Sequence, residues 1–172
     1  FLVCWNRLAI IGRENLPEHP RFVMAANHTS HLDAPVLASA LPMQWRDHAS
    51  PIAAGDVFFE KRHMAAFAAL MVNALPVWRR NALAAGHAME ALRGQIVAGP
   101  AIYILFPEGT RSRDGRIRTF KSGIGALVAG TDVPVLPCHI TGAAAAAPIG
   151  AQFPRRHKIT LRIGRSLHFQ SV

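Results

Sequence analysis

Apolar runs bounded by glycine, proline, asparagine or aspartate alternate along the chain with longer segments that have helical periodicity. The clearest run, from Ala101 to Phe106, is apolar at every position, which is typical of a strand buried on both faces of a sheet. Further strands are predicted at 21–26, 51–54, 74–78, 133–141 and 157–163. Pro76 places the third of these at a sheet edge or a strand end, and alternation makes the last one half-exposed.

Helices are predicted between these strands. The first begins at Thr29 or Ser30, either of which can act as the N-cap, and ends at about Leu41 before Pro42. Others are predicted at 60–72, at 81–97 with Asn81 as N-cap, and at 120–130, while 142–150 is predicted to be a loop. His139, inside an apolar run, is expected to be a core residue. Together these patterns predict an α/β fold, a single domain with a mostly parallel central sheet flanked by helices.

Composition narrows the class of protein. The chain has 172 residues, of which 51% are apolar and 17% charged, so it is large and apolar enough to bury a core and is not intrinsically disordered. We expect one domain over residues 1–172, and because residue 1 is phenylalanine we expect a segment of a longer protein. Two cysteines, Cys4 and Cys138, are too few for a disulfide framework or a cysteine-based zinc site.

The charge of the chain is strongly positive, with 19 lysine and arginine residues, 10 aspartate and glutamate residues and a net charge of +9. This excess is compatible with nucleic acid, with an anionic membrane surface or with an ordinary solvated surface. The high apolar content, without interleaved basic and aromatic residues, favours the membrane surface over nucleic acid. No stretch reaches the roughly 18–20 apolar residues of a spanning helix.

The first candidate for chemistry is Asn27-His-Thr-Ser-His-Leu-Asp33, which follows a predicted strand and opens a predicted helix. Asp33 then lies in the first helical turn, where the helix dipole stabilises a carboxylate. An ionised Asp33 beside His28 would fix the tautomer of the imidazole, as in the pair of base and orienting group used in nucleophilic catalysis. A purely structural pair is the alternative. His31 could join His28 and Asp33 as a metal ligand, but no further ligand follows at a suitable spacing, so no metal is expected.

The second candidate is Phe106-Pro-Glu-Gly-Thr-Arg-Ser112, at the carboxyl end of the strongest predicted strand, where ligands bind in α/β sheets. Gly109 allows close approach of the backbone to a ligand, and Arg111 with the hydroxyl groups of Thr110 and Ser112 can bind phosphate oxygens. An ordinary turn with solvated arginines is the alternative.

Together the two motifs resemble those of the glycerolipid acyltransferases, the superfamily of 1-acylglycerol-3-phosphate and glycerol-3-phosphate acyltransferases. Two further blocks are similar to the family's, Asn73-Ala-Leu-Pro-Val-Trp-Arg79 and Val133-Pro-Val-Leu-Pro137. The four blocks agree with the family in order and spacing, and the resemblance covers about residues 12–165. It implies a fold like that of the glycerol-3-phosphate acyltransferases.

The resemblance also implies a role for each matching residue. His28 would be the general base that takes the proton of the acceptor hydroxyl, and Asp33 would orient it. The residues implied in binding the acceptor, chiefly its phosphate, are Glu108, Gly109, Thr110, Arg111, Lys121, Arg79 and Arg80. For Lys121 an ordinary surface position is the alternative. The pairing of Arg79 with Arg80 leaves open which of the two arginines points inward.

The implied activity is that of an O-acyltransferase of phospholipid biosynthesis, with acyl-CoA or acyl-carrier protein as donor substrate and no cofactor. The expected acceptor is a lysophospholipid, first of all 1-acylglycerol-3-phosphate, with glycerol-3-phosphate or another lysophospholipid as the alternative. The expected partners include a membrane surface and no nucleic acid. The location implied is the cytoplasmic face of the cell membrane, peripheral or anchored by a segment before Phe1. The rival classes are a thioesterase and a non-catalytic module that binds anionic lipids.

Overall fold

A computed structural model describes residues 6–54, 75–77, 82–151 and 153–171. The helix predicted at 60–72, the predicted N-cap Asn81 and the two candidate arginines Arg79 and Arg80 lie outside the described residues. Among the described residues, no helix combines the length and the hydropathy that crossing a bilayer requires.

A single sheet organises the described part of the chain. Its strands are β1 (Ala9–Ile11), β2 (Arg21–Ala26), β3 (Ala49–Ala54), β4 (Leu75–Val77), β5 (Ala101–Leu105), β6 (Val135–Thr141) and β7 (Thr160–Ile163), in the spatial order β1-β7-β6-β2-β5-β3-β4. Every neighbouring pair is parallel except β6 with β7. The prediction of a mostly parallel sheet is therefore confirmed, and β4 lies at an edge as Pro76 indicated.

Helices cover the sheet from both sides. They are α1 (Asp33–Ala40), α2 (Ala82–Ala98), α3 (Gly123–Val128) and the short α4 (Ala143–Ala146), with 3-10 turns at Arg13–Asn15 and Met43–His48. One core packs α1 and α4 against the sheet, and a second core packs α2 and α3 against its other face. Flanking helices on both sides, as predicted from the continuously apolar strands, are thus confirmed.

The central strands β2 and β5 supply side chains to both cores. Phe22 and Met24 of β2 are fully buried in the first core, whereas Val23 of the same strand is fully buried in the second. In β5, Ile104 points into the first core and Tyr103 into the second, where the Tyr103 hydroxyl donates to the Leu92 carbonyl over 3.1 Å. Burial on both faces explains why these strands are apolar at nearly every position.

Local interactions shift some elements from their predicted bounds. Helix α1 begins at Asp33 rather than at Thr29 or Ser30, because the Asp33 carboxylate accepts the amide hydrogens of both residues and holds them in a tight turn. The loop predicted at 142–150 contains the short helix α4. The core position predicted for His139 is wrong: alternation along β6 buries Cys138 and exposes His139.

The two neighbours of β2 bring three loops to one edge of the sheet. The register pairs Ala25 with Leu105 of β5 and Ala26 with Cys138 of β6, so β2 and β5 end at nearly the same level and β6 continues for three more residues to Thr141. Because the chain leaves β2 towards β3 on one side and later returns to place β6 on the other, β2 lies at a switch point of the sheet. Ligands of α/β proteins bind outside the carboxyl ends of strands at such points.

Gly142 fixes the path of the chain as it leaves β6. Its φ angle is +83°, and a Cβ atom added there would lie 2.1 Å from the carbonyl oxygen of Lys158, just before β7. A side chain at this position therefore meets both a strained backbone conformation and a backbone clash.

Gly142→Ala is expected to lower the free energy of unfolding by about 2 kcal/mol or more. The matched control is Gly125→Ala in α3, where an added Cβ meets no heavy atom within 4 Å and the loss of a helical glycine raises stability by about 0.5–1 kcal/mol. Urea unfolding of both variants measures the difference. Equal stability of the two variants would contradict this description of the β6–β7 connection.

Candidate functional site

The carboxylate of Asp33 is the centre of the turn between β2 and α1. Its side chain is fully buried, and its Oδ2 atom accepts the amide hydrogens of Thr29 (2.6 Å) and Ser30 (2.8 Å). The same oxygen lies 2.9 Å from Nδ1 of His28. A carboxylate has no hydrogen to donate, so Nδ1 carries the hydrogen and Nε2 is the nitrogen of the neutral ring that can take a proton.

His28 is held by its backbone and by its ring. Its amide donates to Oε1 of Glu108 over 3.0 Å, and its carbonyl accepts the amide hydrogen of Ser112 over 2.7 Å. The imidazole stacks on Phe106 with a centroid distance of 4.0 Å and an interplanar angle of 15°. The side chain remains 17% exposed, so the ring is fixed in position and still open to a substrate.

Asn27 extends the sheet beyond the end of β2. Its side-chain amide donates to the carbonyl of Ile140 (3.0 Å), and its side-chain oxygen accepts the amide hydrogen of the same residue (2.7 Å). These two bonds join the residue before His28 to β6. The sequence motif includes Asn27, but its bracing role depends on a contact with a residue 113 positions away.

Glu108 connects the turn between β2 and α1 to the loop after β5. The side chain is 3% exposed, with Oε1 bound to the His28 amide and Oε2 bound to the Arg118 amide over 3.0 Å. Both carboxylate oxygens therefore accept backbone N–H groups. Gly109 follows with a φ angle of +69°, and its amide closes a tight turn onto the carbonyl of Phe106 (3.0 Å).

A surface cavity of about 590 Å³ opens beside this turn. It is lined by Glu108, Gly109, Thr110, Ile117, Arg118, Thr119 and Lys121. The structure thus brings four of the sequence-predicted residues together around one space. Ile117, Arg118 and Thr119 were missed, because the basic run that contains them has no motif that singles them out.

The side chain of Arg111 extends from the loop after β5 towards the turn between β2 and α1. Its Nη1 atom hydrogen-bonds to Nε2 of His31. Burial is the main cause that lowers the pKa of His31, and the positive charge of Arg111 lowers it further. His31 is therefore the neutral acceptor and Arg111 the donor at neutral pH, which joins the loop after β5 to the turn after β2.

Ser112, predicted to offer its hydroxyl to a phosphate, has a different position. It is 3% exposed, and its Oγ atom donates to Oδ1 of Asp114 over 2.8 Å. That contact is the main cause that holds the pKa of the Asp114 carboxyl below its usual range. Ser112 therefore shapes the loop, while the exposed Thr110 faces the cavity. In the described part of the chain, no three histidine, cysteine or acidic side chains are grouped as metal ligands.

The arrangement places a histidine with an available ring nitrogen beside a cationic cavity. His28 and its partner Asp33 lie at the end of β2, and the Gly109 turn with Arg111, Arg118 and Lys121 lies at the end of the adjacent β5. Such a pair can take a proton from a hydroxyl group while the neighbouring cations hold an anionic part of the same molecule.

Comparisons with known proteins identify the family to which the chain is similar. The model of the family described as Acyltransferase matches residues 7–141. The chloroplastic 1-acyl-sn-glycerol-3-phosphate acyltransferase BAT2 of Brassica napus is 31% identical over 144 residues, which are 83% of this chain and 40% of the relative. The corresponding LPAT1 of Arabidopsis thaliana is 28% identical over 164 residues, 94% of this chain and 44% of the relative.

A solved structure is similar over nearly the whole chain. The crystal structure of PlsC, the 1-acyl-sn-glycerophosphate acyltransferase of Thermotoga maritima, matches with a TM-score of 0.71 and 25% identity, covering 96% of this chain and 62% of that protein. Of the two plant relatives, by contrast, the chain spans less than half the length. With its family model, its motifs and its fold in agreement, the chain belongs to the acyltransferase family, in the glycerolipid acyltransferase (PlsC-like) superfamily.

Proposed function

We propose that the protein transfers a fatty acyl group from a thioester to the free hydroxyl of 1-acylglycerol-3-phosphate. The observation that carries the proposal is the His28–Asp33 pair, 2.9 Å apart, at the same sheet edge as a cavity with cationic lining. The plant relatives and the solved structure, which are named for acylation of this class of acceptor, support the choice. Glycerol-3-phosphate or another lysophospholipid is the alternative acceptor.

His28 would act as the general base. Its Nε2 atom takes the proton of the acceptor hydroxyl as the oxygen attacks the carbonyl carbon of the thioester, and the Asp33 carboxylate stabilises the resulting imidazolium. The tetrahedral intermediate collapses with cleavage of the carbon–sulfur bond, and the imidazolium returns its proton to the leaving thiolate. The products are an ester and a free thiol, and no cofactor or covalent acyl-enzyme is required.

The acceptor phosphate would bind to the cations beside the cavity. Lys121 supplies charge from the lining, and Arg111 adds charge from the same loop beside it. The Thr110 hydroxyl is a neutral donor, and the Gly109 turn allows close approach of the backbone. Glu108 contributes by position, because both of its oxygens bind backbone amides and one of those amides belongs to His28. Arg79 or Arg80 is expected to complete this site. The donor is acyl-CoA or acyl-carrier protein, and the expected location is the cytoplasmic face of the membrane.

His28→Ala and Asp33→Asn are each expected to lower acyl transfer by about 10²–10⁴-fold. The first removes the base. The second leaves an amide oxygen that can still accept the hydrogens of Thr29, Ser30 and Nδ1 but removes the negative charge that would stabilise the imidazolium. Release of thiol from long-chain acyl-CoA or acyl-carrier protein, with 1-acylglycerol-3-phosphate, with glycerol-3-phosphate and with neither, measures the effect. His48→Ala, an exposed histidine in a 3-10 turn, is the control.

Circular dichroism and thermal melting of the variants separate lost chemistry from lost fold. Release that needs no acceptor would identify a thioesterase instead. Full activity of a folded His28→Ala variant would contradict the proposed mechanism, and salt-sensitive lipid binding without any transfer would favour the non-catalytic module.

Arg111→Ala is expected to raise the KM for a short-chain, monomeric acceptor by about 10–100-fold, with a smaller effect on kcat, because it removes a charge-assisted contact to phosphate. Arg113→Ala removes an equal charge from an exposed position two residues along the same loop and is expected to change KM by about twofold at most. Steady-state kinetics of both variants test this role. Equal effects would mean that the loop attracts the acceptor only through its overall charge.

A further inference from the structure

Positive charge is concentrated in two loops at the edge of the sheet that carries His28. The β5 loop (residues 109–121) and the β6 loop (residues 147–158) together contain eight of the 19 basic residues and one of the 10 acidic residues. These 25 positions therefore account for seven of the nine net positive charges of the 172-residue chain. The rest of the molecule is close to neutral, so the charge is a local feature and not a property of the whole surface.

The same two loops expose large apolar side chains. In the β5 loop, Ile117 and Phe120 are each 59% exposed, and in the β6 loop Ile149 is 40% and Phe153 80% exposed. These are four of the eight large hydrophobic side chains that the described residues expose. Loops gain nothing in stability from phenylalanine rings placed in water, so their exposure beside arginines points to a surface with apolar and anionic parts.

Both loops are tied to the catalytic turn. The β5 loop is joined to it by the bond from the Ser112 amide to the His28 carbonyl (2.7 Å). The β6 loop is joined to it by the bond from the Ser30 hydroxyl to the Ala147 carbonyl (2.8 Å). Since β5 and β6 flank β2 on opposite sides, the loops lie on either side of the residue proposed as the base.

We propose that the β5 and β6 loops form a docking surface for an anionic bilayer, with Phe120, Ile149 and Phe153 entering the headgroup region and the arginines binding lipid phosphates. The surface fits a bilayer because it pairs anion-binding arginines with aromatic and aliphatic side chains, whereas a nucleic acid presents no apolar layer for them. The inference rests on the proposed function for its purpose: docking would bring the cavity and His28 to the plane where a lipid acceptor lies.

Flotation with lipid vesicles tests the docking surface directly. The probes are vesicles of phosphatidylcholine alone and vesicles in which part of it is replaced by phosphatidylglycerol. We expect binding that needs the anionic lipid and falls by about tenfold or more in Ile149→Ser/Phe153→Ser and in Arg155→Gln/Arg156→Gln. None of these four residues lies in the proposed catalytic or phosphate-binding machinery.

Matched controls come from residues outside the β5 and β6 loops. Met43→Ser/Val97→Ser removes two apolar side chains that are 76% and 45% exposed. Arg162→Gln/Arg165→Gln removes two exposed arginines, one in β7 and one just after it. Binding within about twofold of the unaltered protein is expected for both controls, since neither the apolar side chains nor the charges that they remove belong to the β5 and β6 loops.

Three results would overturn the proposal: no binding of the unaltered protein to anionic vesicles, equal losses in the loop and control variants, or unchanged vesicle binding with loss of affinity for acyl-carrier protein. Acyl transfer to a short-chain acceptor in solution is measured alongside, and the loop variants are expected to keep it. If vesicle binding falls as expected while the unaltered protein transfers no acyl group, the docking surface stands and the proposed function fails.

Discussion

The rest of the site depends on the hydrogen bonds that the buried carboxylate of Asp33 accepts. Removing a charge from water is unfavourable by several kcal/mol unless hydrogen bonds replace the lost solvent, and here one oxygen receives two backbone amides and the hydrogen on Nδ1 of His28. Its position in the first turn of α1 adds the favourable field of the helix dipole. The same contacts that solvate the charge therefore set the turn, the start of the helix and the orientation of the imidazole.

Residues from the neighbouring strands and their loops hold this turn in place from both sides. Glu108 binds the amide of His28 from the loop after β5, and Asn27 braces the residue before it against β6. A histidine that is fixed from both sides loses little freedom when a substrate binds, which suits the role proposed for His28 at the switch point of a parallel sheet. The cationic residues lie in the loops that this bracing holds, so the positions of these charges and of His28 are linked.

Local sequence patterns predict the central strands and helices of this structure well, but they predict poorly the features that depend on pairing between distant segments. The apolar run at β5 and the long helix α2 were predicted to within one or two residues, because burial on both faces and helical periodicity are local signals. Strand β1 has only three residues and depends on its pairing with β7, more than 140 residues later, so no local pattern indicates it. The exposure of His139 depends on which strand faces the helices cover, which is a property of the whole sheet.

In the candidate site, too, the sequence predicts some features and not others. The motifs identify His28, Asp33, Glu108 and Arg111 because chemistry demands those residue types at those spacings, and the structure brings all four to one edge. The motifs do not predict which hydrogen-bond donors each carboxylate binds. Glu108 looks like a ligand-binding residue in the sequence, yet both of its oxygens bind backbone amides, and that could be known only from the fold.

The most direct test of the role of Asp33 is the tautomer of His28, read from the ¹⁵N chemical shifts of its ring nitrogens and assigned by comparison with His28→Ala. In the neutral ring we expect the hydrogen on Nδ1, facing Asp33, and an unprotonated Nε2 that is available as a base. A neutral ring that carries its hydrogen on Nε2 would contradict the assignment of Asp33 as the orienting group and of His28 as the base.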